Sequence, residues 1–273
     1  MRGNCGQFYP MVCLLATTPF SQFRIMPPTL QRSAHAVKST LPWLYMVTPS
    51  IASTDVLVDT VEKALRGGVN IVQLRNKIFG ADSPELKAMA VALRELTRSH
   101  NVPLIINDHV ALALDVGADG AHIGQEDTAV EAAQALIGTT PSFLLGVTVR
   151  DAIQAQAACK GACMFHSCGS NTLCVSVAGA DYLGVGPVYA SSTKQNANNG
   201  LVIGLDGLAS TVAMASQFHV PVVAIGGIHV DRVEACMSTK AAGVAVVAAL
   251  SSSSDVQGAA AALADKVRRH HTR

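Results

Sequence analysis

The sequence contains few charges and few aromatic side chains. Charged residues make up 14% of the 273 residues and aromatic residues 4%, with a formal net charge of +1 and no basic run. Without a basic stripe the chain lacks the usual footprint of a nucleic-acid-binding protein, so we expect no nucleic-acid partner. No stretch reaches the roughly 18 uncharged apolar residues of a membrane-spanning helix, so we expect no membrane partner either.

Hydrophobic residues are plentiful, and the cysteines are uneven in number and placement. At 49% of the chain, the hydrophobic residues suffice for a core that is covered on both sides. The seven cysteines form an odd set, which argues against a disulfide scaffold and for a reducing compartment.

The amino-terminal segment differs in composition from the rest. The first acidic residue is Asp55, and before it stand a few scattered bases among Ser, Thr and Pro. Such a leader resembles an organelle transit peptide; a disordered extension, with Met26 as a start, is the alternative. We exclude residues 1–40 from the fold. We expect a cytoplasmic location, with the mitochondrion or another organelle as the alternative.

From Trp43 onward, short β-branched runs alternate with amphipathic Ala/Leu-rich segments. This alternation predicts βα units around a parallel sheet, and eight of them predict a single (β/α)8 TIM barrel over residues 41–273. The predicted strands are Trp43–Thr48, Val69–Leu74, Pro103–Asn107, Gly120–Ile123, Phe143–Thr148, Tyr182–Gly186, Val222–Ile225 and Gly243–Ala248.

One segment, residues 159–178, exceeds this pattern. It holds Cys159, Cys163, Cys168, Cys174 and His166, which invite a zinc interpretation. The spacing lacks a Cys-x-x-Cys pair, which structural zinc sites commonly use. We therefore favour a surface insertion with incidental cysteines.

Polar residues stand where the apolar strands end, which is where barrels of this kind carry their active sites. Gln73, Arg75 and Lys77 alternate at the end of the second strand, so their side chains point the same way, toward the barrel mouth. Two cations there are costly unless an anion meets them. Asp108 and Asp127 follow the third and fourth strands and are hard oxygen ligands suited to Mg²⁺. The alternatives are a solvated loop for the cations and helix N-capping for the carboxylates.

The remaining strand ends add hydroxyls and glycines. Thr148 ends the fifth strand, the sixth opens into a polar loop with Ser191, Thr193 and Lys194, and the seventh ends in Gly226-Gly227. Paired glycines at the seventh strand fit a backbone phosphate site. His122 lies within the fourth strand and is interpreted as a hydrogen-bonded core residue. Together the strand ends predict two phosphate-bearing ligands, one of them with a metal.

Several co-linear motifs between residues 43 and 250 resemble the thiamine-phosphate synthase family. They are Leu44–Thr48, Gln73-x-Arg75-x-Lys77, Ile106-Asn107-Asp108, Ala118–Asp127, Gly146-Val147-Thr148, Ala180–Val188, Thr193-Lys194 and Ala224–Ile228. The resemblance implies a transferase that joins hydroxymethylpyrimidine diphosphate to a thiazole phosphate, giving thiamine phosphate and diphosphate. In this family the diphosphate is thought to leave first, and the thiazole nitrogen then captures a stabilised pyrimidine carbocation.

The resemblance also implies roles for individual positions. Gln73 would contact the pyrimidine, and Asp108 with Asp127 would bind Mg²⁺. The implied diphosphate-binding residues are Arg75, Lys77, Asn107, Thr148 and Lys194, of which Arg75, Thr148 and Lys194 are the candidates for catalysis. The implied thiazole-phosphate residues are Ser191, Thr193, Gly227, Val247 and Ala248. The expected partners are thus small phosphorylated substrates, with a homo-oligomer left open.

The chain departs from the family pattern at several positions. Asn76 replaces a common acidic residue, Thr148 a serine, Ala190-Ser191-Ser192 a Pro-Thr-type phrase, and Ala248 a serine that often helps to hold the thiazole phosphate. Two other functions remain open: a thiazole tautomerase-like enzyme, and a non-catalytic barrel that binds phosphorylated ligands. The cations and carboxylates argue against the former, because a tautomerase needs no diphosphate–metal site.

Overall fold

The computed structural model describes residues 41–125, 129–138, 140, 142–160, 163–168, 171–176, 179–191 and 200–271, with backbone only for 163–168 and 171–176. Eight parallel strands close into a barrel in chain order, as the alternating pattern predicted. They are β1 (Trp43–Val47), β2 (Ile71–Leu74), β3 (Leu104–Asn107), β4 (Gly120–Ile123), β5 (Leu144–Val149), β8 (Tyr182–Val185), β9 (Val222–Ile225) and β10 (Gly243–Val246). The expectation of a TIM barrel is confirmed.

Helices connect the barrel strands and cover the sheet from outside. They are α1 (Thr54–Arg66), α2 (Pro84–Ser99), α3 (Val110–Asp115), α4 (Val130–Ile137), α5 (Ala152–Lys160), α6 (Gly204–Ser216), α7 (Val233–Ser238), α8 (Ala248–Ser251) and α9 (Val256–His271). The Ser83 hydroxyl accepts from Leu86 N at 3.2 Å, and Pro84 follows at the first helical position. In the described part of the chain, none of these helices has both the length and the hydropathy to cross a membrane.

The surplus segment forms a separate hairpin. Strands β6 (Cys163–Cys168) and β7 (Asn171–Ser176) pair antiparallel with each other and do not join the barrel sheet. The segment therefore adds two strands that the sequence pattern did not predict. It leaves the pairing of β5 with β8 intact. Among the described residues no group of three potential metal ligands comes together.

Side chains alternate between the barrel interior and the layer under the helices. Trp43, Tyr45 and Val47 pack inside the barrel, whereas Leu44 and Met46 join the larger core between sheet and helices. Burial on both faces explains the almost continuous apolar runs of the strands. Because of the alternation, every inward position near a strand's carboxyl end faces the barrel mouth.

Polar side chains at the opposite end of the barrel tie neighbouring strands together. A residue just before one strand accepts a hydrogen bond from a backbone N–H of the preceding barrel strand. The pairs are Asn70 with Leu44 N (2.9 Å), Asp119 with Leu104 N (2.8 Å) and Asp181 with Leu145 N (2.9 Å). These bonds satisfy strand N–H groups at a part-buried end, where losing a partner is costly.

Candidate active site

A cavity of about 750 Å³ opens at the carboxyl ends of the barrel strands. Every sequence-predicted site residue that the structure describes lines it. These residues are Gln73, Arg75, Lys77, Asn107, Asp108, Thr148, Ser191, Gly227, Val247 and Ala248. Asp127, Thr193 and Lys194 lie outside the described residues. The volume falls in the usual range of small-molecule sites.

The cations after β2 stand on an anchored loop. The Thr48 hydroxyl accepts from Arg75 N at 2.9 Å and donates to Arg75 O at 3.1 Å. Lys77 N donates to Ser50 Oγ at 3.0 Å. Asn76 is buried and donates from Nδ2 to Ile51 O at 2.7 Å. The loop after β1 thus fixes the backbone that presents Arg75 and Lys77 to the cavity.

Asp108 is held at the cavity edge by its backbone. Its φ is +65°, and its N–H donates to His122 O on β4 at 2.8 Å. Its carboxylate, with a side chain only 11% exposed, forms an ion pair with Lys77. The N-cap position of α3 is His109, so the alternative role of Asp108 as the N-cap of this helix does not hold. The part-buried carboxylate, paired with Lys77, thus lies at the edge of the cavity.

Four polar side chains form the floor of the cavity inside the barrel. The Tyr45 and Tyr182 hydroxyls lie 2.8 Å apart, and Gln73 Nε2 donates to Tyr45 Oη at 2.9 Å. His122 Nδ1 lies 3.1 Å from Tyr182 Oη. Burial raises the pKa of Tyr45 well above its usual value, and burial together with Tyr45 does the same for Tyr182. Both phenols therefore stay neutral.

Sequence reasoning did not identify Tyr45 and Tyr182 as site residues. The signal that could have found them is alternation, because each lies two residues before another inward residue that lines the cavity, Val47 on β1 and Gly184 on β8. His122 is buried and hydrogen-bonded, as expected of a core histidine, yet it also lines the cavity. A Cβ at Gly146 would lie 2.1 Å from Tyr182 Cζ and 2.4 Å from His122 Nδ1. Glycine there provides the room for both rings.

The turn after β9 brings backbone close to the cavity. Gly227 has φ +61°, and a Cβ on it would lie 2.3 Å from Ala190 O. Only glycine satisfies both the left-handed φ and the close approach. Arg232, another residue that sequence reasoning missed, donates from Nη1 to Gly227 O at 2.6 Å and stacks over Tyr189, 4.5 Å from the ring centroid.

The eighth barrel strand ends earlier than predicted. β10 stops at Val246, Val247 is the N-cap, and Ala248 begins the short helix α8. The apolar run Val244–Leu250 conceals this boundary, because a short buried helix and a buried strand have similar composition. Ala248 and Gly227 both line the cavity, and the first N–H groups of a helix lack intrahelical acceptors.

An eight-stranded parallel barrel, with cations, a carboxylate and hydroxyls lining a cavity at its carboxyl ends, defines this protein as a (β/α)8-barrel enzyme. Residues 44–250 match the family model described as "Thiamine monophosphate synthase". The chain is 40% identical over 200 residues to a thiamine-phosphate synthase of Chloroflexus aurantiacus, covering 73% of this chain and 80% of that protein. It is 35% identical over 231 residues to one of Geobacillus thermodenitrificans, covering 84% and 94%.

A solved structure gives the same result. The thiamine phosphate pyrophosphorylase from Pyrococcus furiosus superposes with a TM-score of 0.66 at 30% identity, covering 84% of this chain and 96% of that one. The chain belongs to the thiamine monophosphate synthase family.

Proposed function

We propose that this protein is a thiamine-phosphate synthase, a transferase that condenses hydroxymethylpyrimidine diphosphate with a thiazole phosphate. The bond between the pyrimidine methylene carbon and the diphosphate oxygen breaks first, and its electron pair leaves with diphosphate. The thiazole nitrogen then bonds to the resulting carbocation. The observation that carries the proposal is the common cavity, in which cations, a carboxylate, amides and hydroxyls from successive strand ends meet.

The leaving group would be held on the β2–β5 side of the cavity. Arg75, Lys77, Asn107 and Thr148 line this side, and Lys194 would join them. Cations and preorganised donors stabilise negative charge as it develops on the departing diphosphate, and this stabilisation is typically the largest catalytic contribution. Arg75, Thr148 and Lys194 are the residues that we propose for this role.

Asp108 and Asp127 would hold Mg²⁺. Asp108 would fit a hard cation, because it offers carboxylate oxygens at the cavity edge, where they now pair with Lys77. Bound there, the ion would neutralise charge on the diphosphate. Lys77 would also contact the diphosphate, and its positive charge would help to balance the negative charges of the two carboxylates.

The second substrate would bind at the opposite rim. The Gly227 turn, Ser191 and the backbone at Val247–Ala248 line the cavity there, and Thr193 would add a hydroxyl. Backbone N–H groups at a glycine turn and a helix start suit a phosphate. Gln73, on the floor between the two halves, would contact the pyrimidine. This arrangement would bring the thiazole nitrogen and the pyrimidine into one enclosure, where orientation favours capture over reaction with water.

A single assay separates this proposal from the two alternatives. Purified protein is incubated with both phosphorylated precursors, with and without Mg²⁺, and thiamine phosphate is measured. Formation that depends on Mg²⁺ supports the synthase. Isomerisation of a thiazole phosphate without the pyrimidine substrate would support the tautomerase, and binding of either precursor without turnover would support the non-catalytic barrel.

We infer a cytoplasmic location from the bacterial relatives. Fusing residues 1–40 to a fluorescent reporter tests it, since import of the reporter into an organelle would contradict the inference.

A further inference from the structure

Five side chains form one continuous hydrogen-bonded series across the barrel interior. In order, the series is Gln73 on β2, Tyr45 on β1, Tyr182 on β8, His122 on β4 and Thr148 on β5. We call this series the relay. Its heavy-atom separations are 2.9, 2.8, 3.1 and 2.9 Å in that order. Both ends of the relay line the cavity, on sides assigned above to different parts of one substrate.

The direction of the relay follows from counting protons. Gln73 donates to Tyr45 through Nε2, so the lone pair of Tyr45 that faces Gln73 is occupied. Tyr45 has one hydroxyl proton, and the Tyr182 hydroxyl oxygen lies on its other side, 2.8 Å away. A buried hydroxyl proton without an acceptor is costly, so Tyr45 donates to Tyr182. The Tyr182 hydroxyl also has a side-chain hydrogen bond with Gln73, which lowers the Tyr182 pKa and therefore comes from Gln73 as the donor. The proton of Tyr182 is thus left for His122 Nδ1.

The tautomer of His122 then determines the role of Thr148. A neutral imidazole whose Nδ1 accepts carries its proton on Nε2. That proton points to Thr148 Oγ1, 2.9 Å away. The Thr148 oxygen is therefore an acceptor toward His122, and its own proton is left to point into the cavity. Burial raises the pKa values of both phenols, so both keep the hydroxyl proton that the series requires.

We propose that the relay fixes His122 as the Nε2–H tautomer and thereby presents the Thr148 hydroxyl as a hydrogen-bond donor to an anionic ligand. Tyr45, Tyr182 and His122 are positioning residues, and no proton leaves the relay. Identifying the anion as diphosphate rests on the proposed function, whereas the tautomer does not. The relay also couples the two ends of the substrate. If the Gln73 side-chain amide turned so that its oxygen faced Tyr45, every hydrogen bond in the relay would have to change direction.

The tautomer can be measured directly on the full chain. Histidine labelled with ¹⁵N is incorporated, long-range proton–nitrogen correlation spectra are recorded, and the His122 signals are assigned by their loss in His122→Gln. We expect a protonated Nε2 and an unprotonated Nδ1. A protonated Nδ1, or an imidazolium, would overturn the proposal whether or not the protein makes thiamine phosphate.

Variants test the consequence for anion binding. Tyr182→Phe removes the proton donor to Nδ1, and we expect loss of the tautomer bias together with about tenfold weaker binding of inorganic diphosphate with Mg²⁺. Thr148→Val should weaken diphosphate binding similarly. Thr148→Ser keeps a hydroxyl and should bind diphosphate as the unchanged protein does. Thr211→Val is the matched control, because it removes a buried hydroxyl bonded to Gly207 O at 2.8 Å, away from the cavity.

The outcomes are separable from overall damage to the fold. If Thr148→Val binds diphosphate as well as the unchanged protein does, Thr148 is not a donor and the relay does not act as proposed. If Tyr182→Phe shifts the tautomer of His122 and lowers kcat more than it raises KM, the Thr148 hydroxyl acts mainly on the diphosphate as it departs. Tyr45→Phe, one step further from His122, should give a smaller shift in the same direction, and no shift in either variant would contradict the direction of the relay.

Discussion

Arg232 holds Gly227 by its carbonyl oxygen. The guanidinium donates to that oxygen at 2.6 Å while its face rests 4.5 Å from the centre of the Tyr189 ring. A charged donor and a stacked aromatic ring thus act on one turn, and both Arg232 and Gly227 line the cavity. Since Ala248 lacks the hydroxyl of the serine often found there, this arginine would stabilise the thiazole-phosphate side by another route.

Replacing Arg232 should impair one substrate selectively. In Arg232→Ala we expect the KM for the thiazole phosphate to rise about tenfold, because the turn loses a charge-assisted bond, while the KM for the pyrimidine diphosphate changes little. Steady-state kinetics with each substrate varied in turn checks this. Arg66→Ala, which removes an exposed arginine paired with Glu62 on α1, serves as the control. Equal effects on both KM values would argue against a role at one rim.

Replacement by alanine should be more destabilising at Gly227 than at Gly117, a glycine of similar backbone conformation. Gly117 has φ +64°, close to the +61° of Gly227, but a Cβ there meets nothing within 4 Å. Gly117→Ala should cost about 1 kcal/mol for the left-handed φ alone. Gly227→Ala should cost roughly 2 kcal/mol more, because the Cβ collides with Ala190 O. Urea unfolding measures both, and equal losses would contradict the close approach.

Asn76 should not tolerate the acidic residue common in its family. Its Nδ2 donates to Ile51 O at 2.7 Å and its Oδ1 accepts from Ile78 N at 2.8 Å. Asn76→Asp replaces the donor by a second acceptor facing a carbonyl, so we expect a loss of about 2 kcal/mol in the free energy of unfolding at neutral pH. Asn101→Asp, at an exposed position, is the control. An unchanged unfolding free energy would show that the loop re-forms around the acid.

Asp108 should determine the response to magnesium. Asp108→Asn keeps the size of the side chain but removes its charge, so we expect kcat to fall on the order of a hundredfold and the Mg²⁺ concentration for half-maximal activity to rise. A magnesium titration of activity checks both. Asp115→Asn, which breaks the surface pair with Lys87, should behave like the unchanged protein. Full activity of Asp108→Asn at the usual Mg²⁺ concentration would refute the metal role.

The sequence by itself determined the barrel and many of the polar residues at its mouth. The spacing of apolar residues, the composition of the strands and the positions where apolar runs stop are local properties of the sequence. The eight βα units and the polar strand-end residues between Gln73 and Gly227 could therefore be predicted from them. The exact end of β10 could not, because the run around Val246 suits strand and helix equally. The hairpin β6–β7 was missed because the segment shows no clear alternation of apolar and polar residues.

The tertiary structure alone decided which polar side chains meet. Tyr45 and Tyr182 are 137 residues apart and look like ordinary core aromatics in the sequence. Their hydroxyls become neighbours only when β1 and β8 face each other across a closed barrel, with Gly146 leaving room for the ring. Contacts of this kind depend on barrel closure, which no local pattern encodes.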